Sequence, residues 1–312
     1  MSSSYLPARS GGSVLLLALL SASCVPSPES SRPTVDPAGA VHRHGEQGAS
    51  ITLPALRDIT LRGTARQGGV MTGHVPMGTR TLMLDGHSIA FARDGSFLLA
   101  FDRDAPPAAM LVALGVDGTE VRRALTVEPG NWQIERIDAP ITGAATDADF
   151  RARRAPELER IAAARAAMRP GASEGWRQEF VWPVVGRISG RFGSQRIYRG
   201  TPGSYHSGVD LAAAAGTVYI APADGVVILA ADAPYTLEGN LLIIDHGMGL
   251  NSAFLHSQRL LVKVGDVVRR GQPIGLVGAT GRATGPHLHW GMKWNEARLD
   301  PVTLVNLAAP PR

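Results

Sequence analysis

Cysteine is almost absent from this 312-residue chain: Cys24 stands alone, so no disulfide can close within it. Aromatic residues make up only 5%, against 36 glycines and 22 prolines, a balance that favours short strands and many turns. No run of Lys and Arg is long enough for a nucleic-acid footprint, which argues against a nucleic-acid partner. The net charge of +4 and pI near 9.6 suit an anionic partner such as a wall polymer or lipid headgroups, although ordinary solubilising surface charge accounts for them more simply. The apolar run Val14–Leu20 is far shorter than the ~20 residues of a spanning helix, which excludes it as a transmembrane segment.

That run has another reading. It follows Arg9 and precedes the small residues Ser21-Ala22-Ser23, the three-part layout of a secretory signal peptide over 1–23. The Ser-Ala-Ser-Cys end resembles a bacterial lipoprotein signal, in which the cysteine becomes the lipidated first residue. It departs from that pattern at Ser21, where Leu is usual, and plain cleavage after Ser23 also fits the small-x-small rule. The expectation is export across the inner membrane to the periplasm or cell envelope, with Cys24 carrying a lipid anchor. Residues 24–48, rich in Ser, Pro and Gly, read as a flexible tether. His42 and His44 lie in it and are expected to be solvated.

A chain of this length accommodates about two domains of ~100–200 residues. Over 49–138 short apolar runs are punctuated by Asp85-Gly86, Asp94-Gly95 and Asp117-Gly118. Asp-Gly between apolar runs is a hairpin signal, because both residues tolerate positive φ. A small β-sandwich is predicted, resembling bacterial immunoglobulin-like modules in pattern only, with His74 and His87 structural or solvated. A connecting helix is expected over 146–170: Leu158, Ile161, Ala162 and Met168 keep a helical period, Pro156 suits a first turn, and Pro170-Gly171 ends it. From 180 to 305 the text is dense in Val, Ile and Gly without a long helical period. The fold class is therefore mainly β, ending in an antiparallel β-barrel or two-sheet sandwich.

Chemistry concentrates in this last part. Gly285-Pro286-His287-Leu288-His289 places two imidazoles on one face of a strand, either as two ligands or as a ligand and a base. Upstream stands His206-Ser207-Gly208-Val209-Asp210. Residues four apart on a straight strand are ~13 Å apart, so convergence requires a turn or bulge at Ser207-Gly208. His, Asp and His form the mixed N/O donor set of a catalytic Zn²⁺ site. Leu255-His256 supplies another imidazole at a strand end.

Together these motifs resemble the lysostaphin-type zinc metallopeptidases, peptidase family M23, also called LytM or peptidoglycan endopeptidase domains. The resemblance covers about 186–301, including Ala221-Pro222-Ala223-Asp224-Gly225 and Gly278-Ala279-Thr280-Gly281. It implies the duplicated hybrid motif form of β-barrel or sandwich, Zn²⁺ held by His206, Asp210 and His289, and a catalytic pair of His256 and His287. The implied activity is hydrolysis of peptide cross-links in peptidoglycan by metal-activated water, with peptidoglycan peptide stems as the partner. The alternative is a non-catalytic remodelling factor that activates amidases; all five positions being filled argues against it. His246 is expected in a turn or at the rim, Asp300 at the close of the last strand, and Tyr198 and Tyr205 have no assigned role. Val264–Gly275 resembles the strand pattern of biotinyl carriers, but no lysine stands at the hairpin tip such a carrier needs.

Overall fold

In the computed structural model, residues 58–140, 148–169 and 171–305 are described. The expected signal peptide, the tether, Cys24, His42 and His44 lie outside them. Among the described residues, no helix is long and apolar enough to cross a membrane.

The first eight strands are β1 (Thr60–Arg62), β2 (Val70–His74), β3 (Thr79–Leu84), β4 (His87–Ile89), β5 (Ser96–Ala100), β6 (Ala108–Gly115), β7 (Glu120–Thr126) and β8 (Ile134–Ile137). The first seven form sheets in the orders β1-β2-β5 and β4-β3-β6-β7, around Phe97, Leu98, Leu99 and Leu111. Asp85 and Gly86 both have positive φ and close the β3–β4 hairpin as expected. Asp94-Gly95 does not join paired strands, because β4 pairs with β3 while β5 pairs with β2, so that turn carries the chain from one sheet to the other. His74 and His87 are exposed.

One helix, α1 (Ala148–Ala166), follows. Pro156 sits inside it and not in its first turn, a correction to the sequence reading. A proline there removes one backbone hydrogen bond, and side-chain anchors offset the loss. Arg154 donates to both carboxylate oxygens of Glu238 at 2.6 and 2.5 Å, and Glu157 accepts from the Thr236 amide at 2.6 Å. Of the predicted apolar face only Ile161 is buried; Leu158 remains about half exposed.

The remaining strands are β9 (Arg187–Gly190), β10 (Gln195–Tyr198), β11 (Thr201–Pro202), β12 (Gly208–Ala212), β13 (Val218–Ile220), β14 (Gly225–Ala230), β15 (Asn240–Gly247), β16 (Leu250–Ser257), β17 (Arg259–Leu260), β18 (Val267–Val268), β19 (Pro273–Leu276), β20 (Leu288–Trp294) and β21 (Ala297–Leu299). The main sheet runs β18-β14-β15-β16-β20-β12-β9, with β21 beside β20, and a small sheet runs β13-β19-β17. The sheets do not close on themselves, so the architecture is sandwich-like and not a barrel. Strand β15 is buried along nearly its whole length because both faces are covered. Leu242 and Ile244 join the large core with Phe254 and Trp290, whereas Leu241 and Ile243 pack with Ile161 of α1. Each such side chain contributes about 1.5–3 kcal/mol of burial.

The first part of the chain buttresses the second. Strand β8 pairs in parallel with β10. Buried Arg103 donates from Nε and Nη2 to the Gly193 carbonyl and from Nη2 to Gln195 Oε1. The Gly193 amide in turn donates to the carbonyl of His206.

Candidate metal centre

The site sits where β12, β20 and β16 run side by side. Asp210 and His289 are direct cross-strand partners, so their side chains rise from the same face of the sheet. His206 lies just before β12, where the chain has left the strand, and its amide donates to the Ser194 carbonyl at 2.8 Å. The bend that the His206–Asp210 spacing demanded is therefore present. His206 Nε2, Asp210 Oδ1 and His289 Nδ1 lie 2.9–3.1 Å from one another.

Such a triangle requires a shared proton or a cation at its centre. His206 Nδ1 faces the Arg191 carbonyl at 3.0 Å; as that contact can only be a donated N–H, a neutral ring presents a bare lone pair at Nε2. Asp210 Oδ1 presents another. Burial pushes the Asp210 carboxyl up, but hydrogen bonds and charge from His206 and His289 outweigh it and hold the group well below the ordinary carboxylate range. For His206, burial pushes down and Asp210 more than compensates, leaving a net rise. Burial holds His289 below the ordinary imidazole value. Two imidazole nitrogens and a carboxylate oxygen, partly buried and converging, make a donor set that fits a divalent cation such as zinc.

Two further imidazoles flank the triangle. His287 precedes β20, with Nδ1 2.8 Å from the Gly285 carbonyl and Nε2 3.7 Å from Asp210 Oδ1. His256 reaches the site by a less regular route. Leu255 is the register partner of His289, so on a regular strand His256 would face away. Its φ of +64° breaks the alternation and sets its ring 4.9 Å from that of His287 and 6.2 Å from that of His289, centroid to centroid. The Nδ1–H of His256 donates to the Thr280 carbonyl at 2.8 Å, which leaves Nε2 as the bare nitrogen. Burial lowers its pKa, favouring the neutral base.

A comparison with known sequences decides the class: residues 204–301 match Peptidase family M23. This stretch is an M23 peptidase domain. The M23 domain is 44% identical over 105 residues to the peptidoglycan DD-endopeptidase ShyA of Vibrio cholerae, a match covering 33% of this chain and 24% of that protein. It is also similar to the DD-carboxypeptidase/endopeptidase Mpg of Neisseria meningitidis, with 40% identity over 134 residues, 41% of this chain and 28% of that protein. The chain thus spans about a quarter of the length of these curated relatives. A crystal structure from Pseudomonas aeruginosa described as an M23 peptidase superposes with a TM-score of 0.59 at 29% identity, covering 78% of this chain and 96% of that one.

Several residues that support the M23 site escaped the sequence reading. A Cβ on Gly190 would lie 2.3 Å from Asp210 Oδ2, and one on Gly208 would lie 2.7 Å from His289 Nε2 and 2.5 Å from the Trp290 carbonyl. Both glycines make room for ligand side chains. The carbonyls of Arg191, Thr280 and Gly285 fix three imidazole tautomers, and backbone acceptors of this kind leave no residue-type signature. His246, expected in a turn or at the rim, is instead fully buried within β15. Its Nδ1–H donates to the Asp224 carbonyl at 2.8 Å, and Nε2 accepts from the Ser252 hydroxyl at 2.8 Å. Ser252 Oγ also accepts from Trp290 Nε1, so His246 is a satisfied core histidine on the face away from Asp210. Tyr205 directs its hydroxyl to Asp102 and Arg298, and Asp300 caps the short turn 301–303 after β21.

Proposed function

We propose that this protein is a zinc-dependent endopeptidase that hydrolyses peptide cross-links of bacterial peptidoglycan. The observation that carries the reading is the convergence of His206 Nε2, Asp210 Oδ1 and His289 Nδ1 beside the paired imidazoles of His256 and His287, within an M23 domain. His206, Asp210 and His289 would hold the ion. When bound, zinc supplies Lewis acidity, acidifying water and polarising the scissile carbonyl.

The chain's own residues do the rest. Arg191, Thr280 and Gly285 lock the rings of His206, His256 and His287 with Nδ1 protonated, so that each Nε2 faces inward. His287, closer to Asp210, is placed to take a proton at Nε2 and return it to the leaving amine. His256, whose inward-facing Nε2 is a bare acceptor, is placed to receive an O–H of the attacking water and orient it. His256 and His289 are buried and His206 and His287 partly so, which strengthens the polar contacts at the site.

The envelope location and the anchor at Cys24 belong to the same proposal, since the substrate lies outside the inner membrane. Incorporation of radioactive palmitate by the full chain but not by Cys24→Ala supports the anchor; absence of label in both removes it. The activity is tested by incubating zinc-loaded protein with purified sacculi and counting new peptide ends. Zinc-loaded protein that releases none would instead favour a remodelling factor acting through amidases.

A further inference from the structure

Helix α1 lies over the same sheet face that carries the metal centre, and the space between them is a cavity of about 180 Å³. Its floor is bare where Gly208, Gly291 and Ala253 fall in register across three adjacent strands. Side chains rise on either side of this furrow. On one bank stand Asp210 and His289; on the other stand Asn251 and its register partner Lys293.

Arg165, in the last turn of α1, reaches down to that second bank. A helix-terminal arginine commonly serves the macrodipole, but this one turns to the sheet floor, where Nε donates to Asn251 Oδ1 at 3.3 Å. Asn251 is fully buried, and its amide donates to the Lys293 carbonyl, so its orientation is fixed. A guanidinium has five N–H donors, and among the described residues both Nη groups of Arg165 have no partner. The nearby cations are otherwise engaged: Lys293 meets Glu296 at 2.8 Å and Arg298 meets the Tyr205 hydroxyl at 3.4 Å. At the opposite end of the cavity, Arg154 is neutralised by Glu238 and Glu157. A partly buried fork of unused donors with a fixed Nε is the arrangement that receives a carboxylate through two parallel hydrogen bonds.

We infer that Arg165 is a recognition residue for a free carboxylate of the peptide substrate, bound across the furrow from the metal centre. From His289 to Lys293 is four residues of strand, about 13 Å, so the carboxylate stands roughly that far from the scissile amide. The inference rests on the peptidase reading and adds the substrate's chemistry to it: an acidic peptide, distinguished from its amidated form.

The test uses the zinc-loaded full chain and a cross-linked stem peptide isolated from sacculi, alongside the same peptide with its free carboxylates converted to carboxamides. Amidation is expected to raise the wild-type KM by about tenfold to a hundredfold with kcat little changed, the effect of losing one charge-assisted contact. Arg165→Gln should show the high KM on both peptides, and Arg165→Lys, which keeps charge without the fork, an intermediate value. Melting temperature and zinc content of each variant are compared with wild type, and Arg165→Lys carries the test if Arg165→Gln fails to fold. Should the variants discriminate between the peptides as strongly as wild type does, the inference is overturned while the peptidase reading stands. A wild type that cleaves neither peptide overturns the peptidase reading, and this inference with it.

Discussion

At His256 the backbone adopts a left-handed conformation that costs a residue with a β-carbon about 1–2 kcal/mol. The reason for tolerating it is local: only this break in alternation turns the imidazole towards His287. His256→Gly and His256→Ala should both lower peptide release by about 10²–10⁴-fold. The glycine variant should nevertheless be the more stable of the two by about 1 kcal/mol in urea unfolding, because glycine accepts the backbone without penalty. His246 makes the opposite case, a histidine used for folding. Burial holds its pKa down at about 4, so between that value and the unfolded imidazole near ~6.5 the unfolded chain binds the extra proton. The contribution is present above pH ~6.5 and is lost as pH falls towards 4, up to on the order of 3 kcal/mol. Urea unfolding of wild type and His246→Gln across that range should show a steeper acid decline in the wild type. Gly208→Ala should displace His289 and lower zinc content of the purified protein, since its Cβ has no space.

At the scale of elements, legibility followed how far burial alone set residue choice. Strands β14 and β15 and strand β19 were readable because their faces are filled by Val, Ile and Leu. Strand β20 was legible only at its start, in the His287-Leu288-His289 run; beyond it Gly291 and Lys293 on the site face break any apolar pattern. Strand β7 was hidden by Arg122 and Arg123, exposed charges that leave only Leu125 buried. Helix α1 was seen as a helix, but Pro156 was read as a first-turn residue because the contacts that restore it inside the helix, with Glu238 and Thr236, come from more than 70 residues downstream. The helix docks chiefly through Ile161. Ile161→Ala should therefore cost about 2–4 kcal/mol of docking, visible as faster hydrogen exchange of α1 amides with much smaller change in those of β15.

For the whole molecule, the fold brings together the five residues that the family resemblance singled out, carried by His-x-His, His-x3-Asp and Leu-His motifs on or beside neighbouring strands. What motifs could not convey is support. Arg103, in a loop of the N-terminal part, holds Gly193, which holds the backbone of His206. The account's central claim, that these five residues form a metal-dependent peptide-hydrolysing site, is tested most directly by pairing zinc stoichiometry with digestion of purified sacculi. Wild type should carry about one zinc per chain, as expected for a single three-ligand site, and release new peptide ends. His287→Ala should retain the zinc and release almost none. Zinc-loaded wild type that releases no peptide ends, or a His287→Ala variant as active as wild type, would contradict it.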